Sequence, residues 1–308
     1  MSARAGVATA VLSSALGGLA AVATRFVAHE IDPVTIASFR FGGGFLCLLP
    51  VAVMLRSRWP QRSDFVGVAL LGLMFFAFFF IVYNIALAHT TAARGTLALS
   101  TLPLLTMVVA AALRAEPLTV RKTSGVLIAM AGVAVALAAG IGNAPPGAWR
   151  GDLLMVGGTL CMAFYNVWSG PYIARSSPLG FVTACMGVGG GALAFLSLVS
   201  GGFAVARGFG TADWLAVVYL AAFGGALGFY LWIRALELTT PTRVASSMAV
   251  NPLAASIGAA IVLGEPIGWN VAVGIGAVFV GIWLASTEAP NGPKVAAAPA
   301  APNSLPDR

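Results

Sequence analysis

Tyr165, Trp168 and Tyr172 follow an i, i+3, i+7 course through an apolar stretch, placing two hydroxyls and an indole on one helix face with Cys161 a turn earlier. Phe76, Phe80, Tyr83 and Asn84 share a second face in the same way. Such groups hold a ligand by stacking and hydrogen bonding; without a ligand, the same stripes are ordinary helix packing. Two further clusters are polar: Thr96, Ser100 and Thr101 before Pro103, and Ser246, Ser247 and Asn251 before Pro252. Each proline stands near the middle of an apolar run. There it removes one helical hydrogen bond and frees the carbonyl four residues back, those of Leu99 and Met248. The flanking groups can satisfy that backbone or a ligand, and Pro103 and Pro252 read as hinges beside a binding region.

Arg40 is the cation set well inside an apolar run, about two turns from its end. It either snorkels toward the headgroup layer or faces an internal cavity and attracts a carboxylate. The acids are informative by position. Glu30, Asp32, Asp64, Glu116, Asp152, Asp213, Glu265, Glu288 and Asp307 lie at run ends or beyond, and Glu237 is one turn from Arg234 at the end of its run. Proton-coupled antiport of cations generally relies on a carboxylate at mid-membrane, so that mechanism is disfavoured. Lys122 and Lys294 lie outside the runs, His29 and His89 are at run ends, and no G-x-S-x-G elbow or metal-ligand spacing occurs. No enzymatic activity, cofactor or metal is expected. Cys47, Cys161 and Cys185 lack paired spacing and read as packing residues.

The elements that must position these groups follow from composition. A chain of 308 residues that is 59% hydrophobic and 9% charged cannot bury its apolar surface in one water-soluble core, so it reads as a polytopic membrane protein. Its net charge of +7 is scattered over segment ends rather than gathered in a stripe, which argues against nucleic acid. Ten apolar runs are long enough to cross a bilayer. Five span 5–24, 33–55, 65–87, 95–113 and 123–141; five more span 153–173, 179–199, 214–233, 244–263 and 269–285. Arg4, the first run and Ala21-Val22-Ala23 imitate a cleavable signal peptide, but cleavage would leave the first set one helix short.

The two sets are copies of each other, 149 residues apart. Asp64 maps onto Asp213, Tyr83 onto Trp232, Thr90-Thr91 onto Thr239-Thr240, Arg94 onto Arg243, Pro103 onto Pro252, Glu116-Pro117 onto Glu265-Pro266, and Gly125 and Gly132 onto Gly274 and Gly281. Five crossings per copy force the second copy into the membrane from the opposite side, an inverted repeat of the kind transporters use. The expected fold is an all-α membrane protein of ten transmembrane helices in two inverted five-helix repeats. Residues 1–141 form the first repeat, 142–152 a connection, 153–286 the second repeat and 287–308 a disordered tail. Most cations fall on the side that holds both termini, which places the termini in the cytoplasm. Gly42-Gly43-Gly44, Gly187 with Gly189-Gly190-Gly191, and Gly224-Gly225 with Gly228 offer the small-residue surfaces that helices in lipid pack through. The polar faces of the two copies do not coincide: Thr96 and Ser100 map onto Ala245 and Ala249, and Ser247 and Asn251 onto Ala98 and Leu102.

Together these features resemble the EamA-type drug/metabolite transporter superfamily, over nearly the whole chain. The carriers are Pro33 with Phe39-Arg40-Phe41, Ala86-Leu87 before Thr90-Thr91, Pro103 with Glu116-Pro117, and Asn251-Pro252 with Glu265-Pro266. The resemblance is strongest to bacterial amino acid exporters, including exporters of aromatic amino acids. It implies a central cavity between the halves and outward movement of neutral amino acids or similar metabolites across a bacterial inner membrane. The expected cavity lining is Arg40, Tyr83, Asn84, Thr96, Ser100, Tyr165, Trp168, Trp232, Ser247 and Asn251. The expected partners are the small-molecule substrate and the lipid bilayer, with monomer and homodimer both open. The alternative is a proton-coupled antiporter of lipophilic drugs or sugar derivatives, coupled through groups at the membrane edges. The absence of an acid at mid-membrane predicts facilitated movement: an imposed pH gradient should leave substrate uptake into proteoliposomes unchanged, and accumulation driven by the gradient would refute it.

Overall fold

Asp32 accepts the Val34 and Thr35 amides at 3.0 Å, and Pro33 behind it needs no donor partner, so a helix starts there without unsatisfied backbone. Ser177 and Pro178 repeat the device, with the Ser177 hydroxyl accepting the Gly180 amide at 3.1 Å. The computed structural model describes residues 3–27, 31–90, 92–141, 146–263 and 269–286, and all secondary structure among them is helical. The expected loop groups His29, Glu30, Thr91 and Glu265-Pro266, and the tail, lie outside the described residues.

The first half consists of α1 (Ala3–Val27), α2 (Pro33–Met54), α3 (Phe65–Gly72), a π-helical stretch (Leu73–Phe79), α4 (Phe80–His89), α5 (Ala92–Leu99), α6 (Leu102–Ala112) and α7 (Val120–Ile141). The second consists of α8 (Trp149–Arg175), α9 (Pro178–Val199), α10 (Thr211–Tyr219), a π-helical stretch (Leu220–Leu227), α11 (Gly228–Leu238), α12 (Pro241–Ser246), a 3-10 turn (Ser247–Ala249), α13 (Val250–Leu263) and α14 (Trp269–Ser286). Among the described residues seven helical runs are long and apolar enough to cross a membrane, and Leu97–Ala112 and Ala272–Ala285 are shorter apolar helices. The two π stretches overlap under the 149-residue offset, and the composition gave no sign of either.

Packing exchanges elements between the halves. The helix α1 lies against α11 and α13, and α8 lies against α4 and α6, the equivalent pairs. Glycines set the closest approaches. A Cβ on Gly190 would come within 2.9 Å of the Phe41 carbonyl carbon, and one on Gly187 within 2.8 Å of the Phe45 ring, so α2 and α9 cross antiparallel. Likewise a Cβ on Gly125 would lie 2.7 Å from the Gly281 carbonyl oxygen and one on Gly132 3.0 Å from that of Gly274, so α7 and α14 also run antiparallel. Both crossings join helices that the repeat makes equivalent.

The hydroxyls before the prolines bond carbonyls other than those expected. Pro103 is the second residue of α6, where a missing N–H is harmless, and the helix breaks earlier, at Ser100–Thr101. The Ser100 and Thr101 hydroxyls donate to the carbonyls of Leu97 and Ala98, both at 2.6 Å, rather than to that of Leu99. In the second half Ser246 donates to Thr242 at 2.8 Å and Ser247 to Val244 at 2.7 Å, rather than to Met248. The residue before a proline resists helical geometry, so the ladder tightens into i−3 contacts one turn ahead and the hydroxyls follow it.

A second correction concerns Lys122, expected outside the runs. It is the third residue of α7, with a side chain 1% exposed, and its Nζ donates to Glu116 Oε2 at 2.8 Å. The other carboxylate oxygen accepts the Thr242 amide at 2.9 Å, so a first-half carboxylate caps α12 of the second half. An exposed bidentate pair, Arg175 with Asp64 at 2.8 and 2.9 Å, ties α8 to the start of α3. Removing one member of a buried pair strands the other charge, whereas an exposed pair contributes little. Glu116→Gln is therefore expected to cost about 3–5 kcal/mol and Asp64→Asn under about 1 kcal/mol in detergent unfolding; equal costs would refute the contrast.

Candidate functional site

Phe80 and Phe229 are equivalent in the repeat, and the Arg40 guanidinium carbon lies 5.8 Å from the centroid of each ring and 5.3 Å from that of Phe41. A cation over three ring faces, in contact with both halves, marks where the halves meet. Glycines make the position reachable. A Cβ on Gly225 would stand 2.4 Å from the Arg40 carbonyl oxygen, so α2 crosses the second π stretch at backbone contact. A π stretch leaves carbonyls without their usual i+4 donor. That of Gly224 accepts from Arg40 Nε at 3.2 Å and from Nη2 at 3.0 Å; just past the stretch, at the first residue of α11, the Gly228 carbonyl accepts from the Ser13 hydroxyl at 2.7 Å. Arg40 Nη1 makes no hydrogen bond among the described residues, so half of the fork remains available.

The phenols of Tyr83 and Tyr219 are close enough to interact electrostatically with Arg40. The Tyr219 hydroxyl is buried without a hydrogen-bond partner. Beneath the guanidinium the rings form one cluster: Phe41 to Phe76 at 5.3 Å, Phe75 to Phe229 at 5.5 Å and Phe75 stacked on Tyr165 at 4.5 Å. The repeat counterpart of Arg40 is Gly189, where a Cβ would already meet the Gly72 carbonyl at 2.5 Å. Among the described residues Arg40, from the first half, is the cation placed over these rings, and its repeat counterpart carries none.

The expected lining residues divide. Arg40 and Tyr83 come together at the ring cluster. Trp232 is buried one turn beyond Phe229, and its indole donates to Asn166 Oδ1 at 3.0 Å. Ser247 pairs with Ser14 of α1 at 2.9 Å, and Asn251 packs against Gly17, where a Cβ would lie 2.8 Å from its amide nitrogen. Ser100 is buried and engaged with its own helix. Tyr165 is fully buried in the ring cluster, its hydroxyl beside the Cys185 thiol. Trp168 is not brought to this cluster: it is 46% exposed, stacks on Phe164 at 4.7 Å and lines an outward apolar groove with Gly67, Leu70, Met74 and Tyr172. The side chains of Asn84 and Thr96 lie outside the described residues.

Three contributors were missed in the sequence. Asn166, an amide at the centre of α8, was readable as a polar group at depth. The Gly224 carbonyl and Tyr219 acquire their roles only through the π stretch. Among the described residues no group of three or more His, Cys, Asp or Glu side chains is arranged to hold a metal. What the arrangement offers is a forked cation, free donors and aromatic walls: recognition of an acceptor-bearing molecule with an apolar part.

Comparison with known proteins identifies the family. The chain is 22% identical over 266 residues to the uncharacterized transporter YyaM of Bacillus subtilis, covering 85% of this chain and 87% of that protein. It is 24% identical to an uncharacterized transporter of Archaeoglobus fulgidus, over 87% of this chain and 93% of that one. It is 26% identical over 240 residues to a "probable terminal-alkyne amino-acid exporter" of Streptantibioticus cattleyicolor, covering 77% and 75%. A solved crystal structure superposes with a TM-score of 0.76 at 19% identity, over 92% of this chain and 98% of that one, which establishes likeness of fold. The EamA-like transporter family model matches twice, at residues 4–138 and 149–287, and the chain belongs to that family.

Proposed function

We propose that this chain is an alternating-access exporter of small neutral metabolites, foremost zwitterionic amino acids with apolar or aromatic side chains, in a bacterial inner membrane. The observation that carries the reading is Arg40: a cation at the seam of the halves, half of its fork unused, over rings that can take an apolar side chain. A carboxylate suits the free Nη1 edge, since guanidinium and carboxylate match in geometry and charge. The ammonium of the substrate would meet ring faces and the Tyr83 phenol. The exporter relative named above supports the same class.

The inverted arrangement of 1–141 and 153–286, with ten crossings and cytoplasmic termini, is supported by the antiparallel crossings of equivalent helices. It is also supported by side-chain contacts between the ends of runs. Arg175 reaches Asp64, Glu116 reaches Thr242, and Thr90 reaches Asp152 at 2.7 Å, and each joins ends that a ten-crossing path puts on one face. Movement is facilitative on this reading. Glu116, the buried acid among the described residues, has both oxygens engaged away from the ring cluster. The π stretches and the breaks before Pro103 and Pro252 serve as the bending points, because the helical ladder is already interrupted there.

Reconstituted protein should take up labelled Trp, Phe, Met or Thr with saturation, and Arg40→Lys, which lacks the fork, should lower apparent affinity at least ~10-fold. Absence of saturable uptake for all four overturns the substrate class and favours drug or sugar-derivative cargo. Pro103→Ala and Pro252→Ala should shift spin-label distances between the two ends of the halves; unchanged distributions refute the hinge.

A further inference from the structure

Asn166 is 1% exposed at the centre of α8, and its amide is only half used. The Trp232 indole N–H can only donate, so the amide oxygen must face it at 3.0 Å, which fixes the orientation of the amide. Nδ2 is left buried with no hydrogen-bond partner. Native proteins seldom retain such a donor without a use for it. Its position is telling. Trp232 is one turn from Phe229 on α11, and Phe229 carries the Arg40 guanidinium. The repeat counterpart of position 166 is Gly17, and the space its missing side chain leaves is occupied by the Asn251 amide from α13. Amides therefore stand at both repeat-related positions, one from α8 and one from α13.

We propose that Asn166 is a substrate-recognition residue whose free N–H groups bind a carbonyl or carboxylate oxygen of the transported molecule, on the side of the ring cluster where Trp232 follows Phe229. The ligand class this selects is carboxylates and carbonyl compounds rather than simple amines, because Arg40 and Asn166 both offer donors only. The proposal rests on the ring cluster being the substrate site.

The test is ligand-induced thermal stabilisation of the full chain in detergent, with L-phenylalanine, phenylacetate and phenethylamine as probes. The wild type should be stabilised by the first two and not by the third. Asn166→Leu should weaken both acceptors by at least ~10-fold. Asn166→Asp keeps an oxygen for the Trp232 indole while removing the donor, so it should lose the same affinity and separates recognition from folding. Binding of phenylacetate but not L-phenylalanine, with loss in the Asn166 variants, would uphold this proposal while removing the amino acid reading. Unchanged affinities in the variants, or equal stabilisation by phenethylamine, would overturn this proposal and leave that reading intact. No stabilisation by any probe would overturn both.

Discussion

In hydrocarbon no water is at hand for a stray backbone carbonyl, so every departure from an unbroken helix must be answered by a side chain or a neighbouring helix. The chain departs from regular helix at depth at both π stretches and at the breaks before Pro103 and Pro252. Donors come from near and far. Ser100 and Thr101 serve their own helix, Ser13 reaches Gly228 from α1, and Arg40 reaches Gly224 from α2. The donor with the longest side chain among them is also the charge over the ring cluster. Structural necessity and the proposed ligand recognition thus share one guanidinium: two of its nitrogens hold the π stretch, and Nη1 is left for the proposed cargo.

Near-symmetry frames this site, but the proposed recognition groups break it. Phe80 and Phe229 are true counterparts, whereas Arg40 faces a glycine counterpart at position 189 and Asn166 one at position 17. A cavity with the same cation from both halves would hold two like charges close together at low dielectric, an expensive arrangement. On the proposed reading, one cation offset against aromatic walls would give a direction to a bound molecule, its acceptor toward α2 and α8 and its apolar part toward the rings.

The helical runs, the repeat and the glycine surfaces were legible in the sequence because each leaves a local mark: a run of apolar residues, a spacing, a small residue. Arg40 stood out for the same reason. Trp168 did not reveal its direction, since lipid and protein interior both accept an indole and an apolar stripe carries no sign of which it faces. Its three-residue step from Tyr165 turns it roughly 60° around the helix, enough to pass from core to surface. The π stretches left no mark at all in runs as uniformly apolar as Leu73–Phe79. Lys122 was misplaced because a helix boundary moved by three residues carries a lysine from loop to core.

The crossing of α7 with α14 bears on how the two copies could have drifted apart after duplication. Gly125 meets Gly281, and Gly132 meets Gly274, so each glycine abuts the counterpart of the other. When both copies were identical, one change of sequence would have struck the contact twice, once from each side. Divergence since then frees the ring cluster to become lopsided, but a larger residue in either copy still collides with the backbone of the other. The scar of duplication is therefore deepest where the two halves touch through bare backbone, and shallowest at the ring cluster.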